Sequence, residues 1–216
     1  MSDYTQMWAD LGLDSEAHDA LLNVLGNAYQ DVFLSQNDRP ETMGYFDFVM
    51  SEVHGLRIKE LMDAKAQGRK VIGTFCVFVP EELVLAADGI CVGLCAGADF
   101  AADQVENLLP RNTCALIKSF FGFKLGKVCP YVEATDMVVG ETTCDGKKKA
   151  YEIFREIQPN LYVMELPQMK NSQDREMLKT EYLRFKTELE KITGVTIDAD
   201  RLKKGIQIVN NKRKAL

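Results

Sequence analysis

The chain has 216 residues, 46% hydrophobic and 27% charged, and a net charge of −6. That composition fits a globular protein with one substantial domain, or one domain plus a helical appendage. Scattered basic residues and a negative balance argue against nucleic acid as the main partner, the lack of an apolar run of about 18 residues argues against a membrane span, and an acidic N-terminus is no secretory signal, so a cytoplasmic location is expected.

The first 66 residues read as helical. Leu21, Leu22, Val24, Leu25, Tyr29, Val32 and Phe33 fall near helical spacing, with Asp14 or Ser15 as the N-cap and NDRPE as the following loop. A second helix is expected through YFDFVMSEVHGLRIKELMDAKAQGRK, ending near Gly68. His18 and His54 lie in these helices, remote from the cysteines, and read as packing or surface residues.

From Lys70 the pattern alternates between short apolar runs and amphipathic ones. KVIGTFC reads as a strand, EELVLAAD as a helix with Pro80 at N1, GICVGL as a strand and ADFAADQVENLL as a helix. TCALIKSFFGF is expected to be helical, DMVVGETTC a strand, DGKKKAYEIFREI a helix and NLYVMELP a strand. Strands alternating with helices predict an α/β domain with a parallel sheet, Rossmann-like (flavodoxin-like) in layout, flanked by an N-terminal helical segment and C-terminal helices. The expected divisions are 1–66, 67–170 and 171–216. The last holds two charged helices, the first ending at Gly194.

All six cysteines fall in the middle third, at Cys76, Cys91, Cys95, Cys114, Cys129 and Cys144. In a reducing compartment they are not read as a disulfide framework. Judged singly, Cys91 or Cys114 reads as a small buried hydrophobe, but that explains the grouping poorly. Cys76 is placed at a strand end before a helix, Cys144 at the mouth of the next strand's helix, and Cys129 at an element boundary because Pro130 follows it. Ligands of open α/β sheets bind at the carboxyl ends of strands, and helix N-termini there favour thiolates and anionic groups. Spacing alone leaves an iron–sulfur cluster, zinc and no metal all open; the paired C-x2-C knuckles of zinc ribbons are absent.

GTFCVFVPEEL, the Cys129–Pro130 pair and TTCDGKKKAYEIF together resemble the 2-hydroxyacyl-CoA dehydratase and benzoyl-CoA reductase superfamily. Within it the likeness is nearest to the double-cubane cluster proteins. The resemblance implies an iron–sulfur reductase component, reduced at low potential by a separate ATP-dependent iron–sulfur activator and reducing a small substrate. It implies a homodimer and a double cubane of two linked 4Fe–4S units on all six cysteines. Cys76, Cys129 and Cys144 match the superfamily's shared positions, and Cys91, Cys95 and Cys114 would complete the second cubane. One alternative is a subunit of a 2-hydroxyacyl-CoA dehydratase or benzoyl-CoA reductase with a single 4Fe–4S cluster; another is a non-catalytic domain with structural zinc. ATP hydrolysis is assigned to the activator because no G-x-x-x-x-G-K-[ST] loop occurs in the chain. Lys147, Lys148 and Lys149 are candidates for docking it or offsetting cluster charge. Members usually continue into a second α/β domain, so the C-terminal helices are expected to lead towards one.

Overall fold

The computed structural model of the chain describes residues 4–94 and 102–215. Its centre is a four-stranded parallel sheet built from β1 (Val71–Thr74), β2 (Ile90–Gly93), β3 (Met137–Glu141) and β4 (Leu161–Met164), in the order β2-β1-β3-β4. Every pairing is parallel, with Ile72 opposite Cys91 and Met137, and Val139 opposite Tyr162. The chain goes from β1 outward to β2 and then crosses to β3 on the other side. The strand order therefore reverses between β1 and β3, where such sheets open a crevice at their carboxyl ends. The parallel α/β architecture expected from the alternation is the one observed.

Helices cover both faces because β1 and β3 are buried along their whole length and cannot meet water on either side. One face carries α6 (Ala102–Glu106), α7 (Ala115–Leu125) and α9 (Asp145–Ile157), and Phe120, Phe121, Tyr151 and Phe154 of the last two pack on Phe75 and Val138. The other carries α5 (Glu81–Ala86) and α10 (Ser172–Thr193), whose Val84, Phe185 and Leu189 pack on Ile72 and Val139. α10 stops at Gly194, in the left-handed region at φ 72°, as expected of a C-cap glycine. Pro80 is the N-cap of α5 rather than its first helical residue, one position from the expectation.

α11 (Ala199–Ala215) lies across α5 at backbone contact. A Cβ on Gly205 would stand 2.4 Å from the Glu82 carbonyl oxygen. Arg213 pairs with Glu82 at 2.9 Å, and Lys212 pairs with Glu81. Those two acids thus fasten one helix to another. Gly205→Ala is expected to push α11 off α5 and cost about 1–3 kcal/mol, read as a lowered urea midpoint.

The N-terminal segment departs from the expected long second helix. It comprises α1 (Thr5–Asp10), α2 (Ser15–Tyr29) continued by a π-helical stretch (Gln30–Leu34), α3 (Met43–Ser51) and α4 (Leu56–Ala66). The expected helix is broken at 52–55 by residues that α1 brings in. The Tyr4 hydroxyl donates to Glu52 at 2.9 Å, the Trp8 indole donates to the His54 carbonyl at 2.7 Å, and a Cβ on Gly55 would meet the Tyr4 ring at 2.4 Å. Asp14 caps α2, accepting from the Ala17 amide at 3.0 Å.

His18 is buried, with Trp8 edge-on and His54 stacked on it at a ring distance of 5.2 Å. Their ring nitrogens lie 3.1 Å apart, so one donates to the bare nitrogen of the other. Burial lowers His18, and burial with the facing His18 pushes His54 down to about 4. With folded-state values depressed, the unfolded chain takes up protons first as pH falls. Stability is therefore full above the ordinary value of 6.5 and is lost as pH drops from there to about 4. Urea midpoints across that window should fall with acidification, and the slope should shrink in His54→Asn.

Candidate functional site

Cys76 sits in the loop after β1, two residues past the strand end, and Cys144 is the N-cap of α9, three residues past β3. The two therefore leave neighbouring strands on either side of the reversal point. The buried Tyr151 hydroxyl donates to the Glu141 carbonyl at 3.3 Å, at the end of β3. That phenol is pushed well above its ordinary value, first by burial, then by Glu141, with Cys144 and Cys76 adding to it. Tyr151 reaches this place because residue 140 is glycine: a Cβ there would stand 2.5 Å from the Tyr151 ring.

Two further cysteines also cap helices. Cys114 is the N-cap of α7, and Cys129 that of α8 (Pro130–Ala134), with Pro130 at the first helical position. α7 and α9 lie together near their starts: Ile117 Cδ1 is 2.9 Å from where a Cβ on Gly146 would lie, and Cys144 Sγ is 3.9 Å from the same point. The Cys144 sulfur accepts the Lys147 amide N–H at 3.4 Å. Cys129 packs against the α7/α9 core, near the Val132 and Tyr131 amides, and its side chain makes no capping hydrogen bond. Burial pushes its thiol up against the pull of those amides.

Cys91 is placed differently. It lies inside β2, opposite Ile72, and packs on the α5/α10 side of the sheet. Burial pushes its thiol up to about 11. Cys95 lies outside the described residues. Cys76, Cys91, Cys114, Cys129 and Cys144 are all free thiols. Among the described residues no three His, Cys, Asp or Glu side chains are grouped closely enough to hold a metal ion.

The donor set fits an iron–sulfur cluster better than a single ion. A cubane takes its thiolates on separate irons, so its cysteines need not meet at one point, and its potential is set partly by N–H···S bonds. Cys144 already receives such a bond.

A buried ion pair escapes a reading of the sequence alone. Glu141, the last residue of β3, has no exposed surface, and its Oε1 accepts from the ammonium of Lys147 in the first turn of α9. Glu141 Oε2 is buried without a hydrogen-bond partner among the described residues. Lys147 thus points inward and is not offered to a partner, while Lys148 and Lys149 pair on the helix surface with Asp145 and Glu152. The signal available was a carboxylate closing the apolar run MVVGE, where the pattern calls for another apolar residue.

Beside this network, at the carboxyl end of β4, lies an open groove of about 660 Å³. Tyr151, Lys148, Arg155, Leu166, Gln168 and Met177 are among the residues that line it. No helix among the described residues is long and apolar enough to cross a membrane.

Residues 76–216 match the family described as 2-hydroxyglutaryl-CoA dehydratase, D-component, so the match begins at Cys76 itself. The chain is 42% identical over 167 residues to a putative dehydratase subunit, YjiM, of Escherichia coli K12, covering 77% of this chain and 43% of that protein. It is 28% identical over 152 residues to the (R)-phenyllactyl-CoA dehydratase beta subunit of Clostridium sporogenes, covering 69% and 40%. Over 157 residues it is 26% identical to the lactoyl-CoA dehydratase subunit beta of Anaerotignum propionicum, covering 72% and 41%. The chain spans less than half the length of these curated relatives. With its parallel sheet and its cysteines at strand and helix ends, this chain belongs to the 2-hydroxyglutaryl-CoA dehydratase D-component family, within the 2-hydroxyacyl-CoA dehydratase superfamily.

Proposed function

We propose that the chain is the iron–sulfur part of a 2-hydroxyacyl-CoA dehydratase-type enzyme, with a 4Fe–4S cluster held over the β1/β3 reversal point by Cys76, Cys129 and Cys144. The observation that carries this reading is the placement of Cys76 and Cys144 just past the ends of the neighbouring strands β1 and β3, where the strand order reverses. When bound, the cluster supplies one-electron chemistry at low potential. The chain's own residues position it. The Lys147 amide donates to the Cys144 sulfur, and the Glu141–Lys147 pair anchors the first turn of α9 behind Cys144. The groove beside Tyr151 has the size of a small-molecule site, and its wall mixes Lys148 and Arg155 with Glu152, Glu165 and Asp174. Electrons are assigned to a separate ATP-dependent activator.

A second reading, the double cubane, is favoured by Cys114, an exposed thiol at the N-cap position of the helix that starts beside Cys144. It also needs Cys91, which would have to leave its packing inside β2. The zinc reading needs ligands converging on one ion, which the described residues do not offer. Electron paramagnetic resonance of the anaerobically reconstituted, dithionite-reduced protein tests the leading reading. A half-spin signal that changes on adding a 2-hydroxyacyl-CoA is expected. A cluster signal wholly indifferent to acyl-CoA counts against the dehydratase assignment.

A further inference from the structure

A second groove, of about 750 Å³, opens on the α5/α10 side of the sheet. Arg175, Leu178, Lys179, Tyr182, Leu183 and Lys186 of α10 line it, and they recur every three or four positions. One continuous face of that helix is therefore turned to the groove. Leu202 and Ile206, one turn apart on α11, line it as well, and Val77 and Phe78 enter from the loop after β1. The apolar part of this lining is open to solvent: Val77 is 91% exposed, Leu183 56%, Phe78 54% and Ile206 42%. Apolar residues exposed singly are ordinary, but these four share one cavity and make a binding surface.

Its charge has the opposite sign to that of the chain, which is net −6. Among the described residues the lining has the cations Arg175, Lys179, Lys186 and Arg213 against one acid, Glu82. Glu82 is taken by Arg213 at 2.9 Å, and Lys186 by Glu190 at 2.7 Å. Arg175 has no ion pair among the described residues. Lys179 meets only the exposed Glu176, at 3.9 Å, a pair that contributes little. Arg175 and Lys179 stand one helical turn apart, so both can reach one anionic group. The groove at β4 lacks this bias, because Lys148 and Arg155 share its wall with Glu152, Glu165 and Asp174.

We propose that the α10/α11 groove binds an amphiphilic anion, its apolar arm against Val77, Phe78, Leu183 and Ile206 and its carboxylate or phosphate head on Arg175 and Lys179. The volume lies within the range of small-molecule sites. A neutral apolar ligand would leave two unpaired cations unused, and a wholly polar anion would leave the apolar lining in water. The binding stands independently of any cluster and of the reaction proposed above.

Isothermal titration of the full chain with octanoyl-CoA, octanoate, coenzyme A and octanol tests this. One of the first two is expected to bind roughly tenfold or more tighter than either of the last two, since both halves of the ligand are used. The tighter of the two identifies the head, phosphorylated or carboxylate. Arg175→Ala/Lys179→Ala should weaken that binding by roughly tenfold or more and remove most of its salt dependence. Leu183→Asp should weaken it as well. All three positions are exposed, so the fold should keep its circular dichroism. No binding by either amphiphile overturns the proposal, and so does equal binding of coenzyme A or octanol, or binding that both folded variants leave unchanged. If the variants do not fold, a diazirine-bearing octanoate on the native chain decides. Adducts within 77–83, 175–186 or 202–213 support the site, and adducts elsewhere overturn it.

Discussion

Cys144→Ser, reconstituted anaerobically with iron and sulfide, is expected to lose most of its iron, and Cys76→Ser and Cys129→Ser to behave alike. A hydroxyl replaces a thiolate poorly on these irons, and the three sulfurs sit at the β1 end and at the α8 and α9 caps. Cys91→Ser gives the contrasting result. Its side chain packs among Ile72, Val84 and their neighbours rather than at an element end. Iron content should therefore be retained, while burying a hydroxyl there costs about 1–3 kcal/mol. Cys114→Ser separates the two cluster readings: unchanged iron supports one cubane, and loss of about half supports two. Iron assays of the five variants alongside urea unfolding distinguish loss of a ligand from loss of packing.

Lys147→Met is expected to destabilise the protein by about 3–5 kcal/mol, because it leaves the carboxylate of Glu141 buried without its cation. Glu141 is wholly inaccessible, its second oxygen already lacks a partner among the described residues, and the Thr143 hydroxyl, donating to Oε1 at 3.4 Å, is a neutral donor that does not balance the charge. Replacing both partners together, Glu141→Leu/Lys147→Met, should recover most of the loss, since neither charge is then stranded. Urea unfolding of the metal-free protein measures both. The single variant should also hold its cluster less firmly, because the Glu141–Lys147 pair that anchors the first turn of α9, and with it the residue-147 amide at the Cys144 sulfur, is lost.

Much of the fold could be read from the residues. The runs VIGT, ICVG, MVVGE and LYVM alternate with helices, and the chain forms the parallel sheet that this pattern requires. What the pattern missed came from residues far along the chain. The break at 52–55 depends on Tyr4 and Trp8, 48 and 46 positions away from their partners, which no local periodicity records. The cysteines divide in the same way. Pro130 and the turn before Asp145 put Cys129 and Cys144 at element ends by local rules alone. Cys91 is two residues into the sheet, and only its register opposite Ile72 shows which layer it joins. The Glu141–Lys147 pair stayed hidden because a strand-end acid and a helix lysine six positions apart look like two surface charges until β3 and α9 are folded together.

Iron and acid-labile sulfide analysis of the anaerobically purified protein tests the central claim most directly. About four irons and about four sulfides per chain are expected, with broad visible absorption that bleaches on reduction. A protein that takes up no iron under reconstitution, or binds a single zinc and stays colourless, would contradict it.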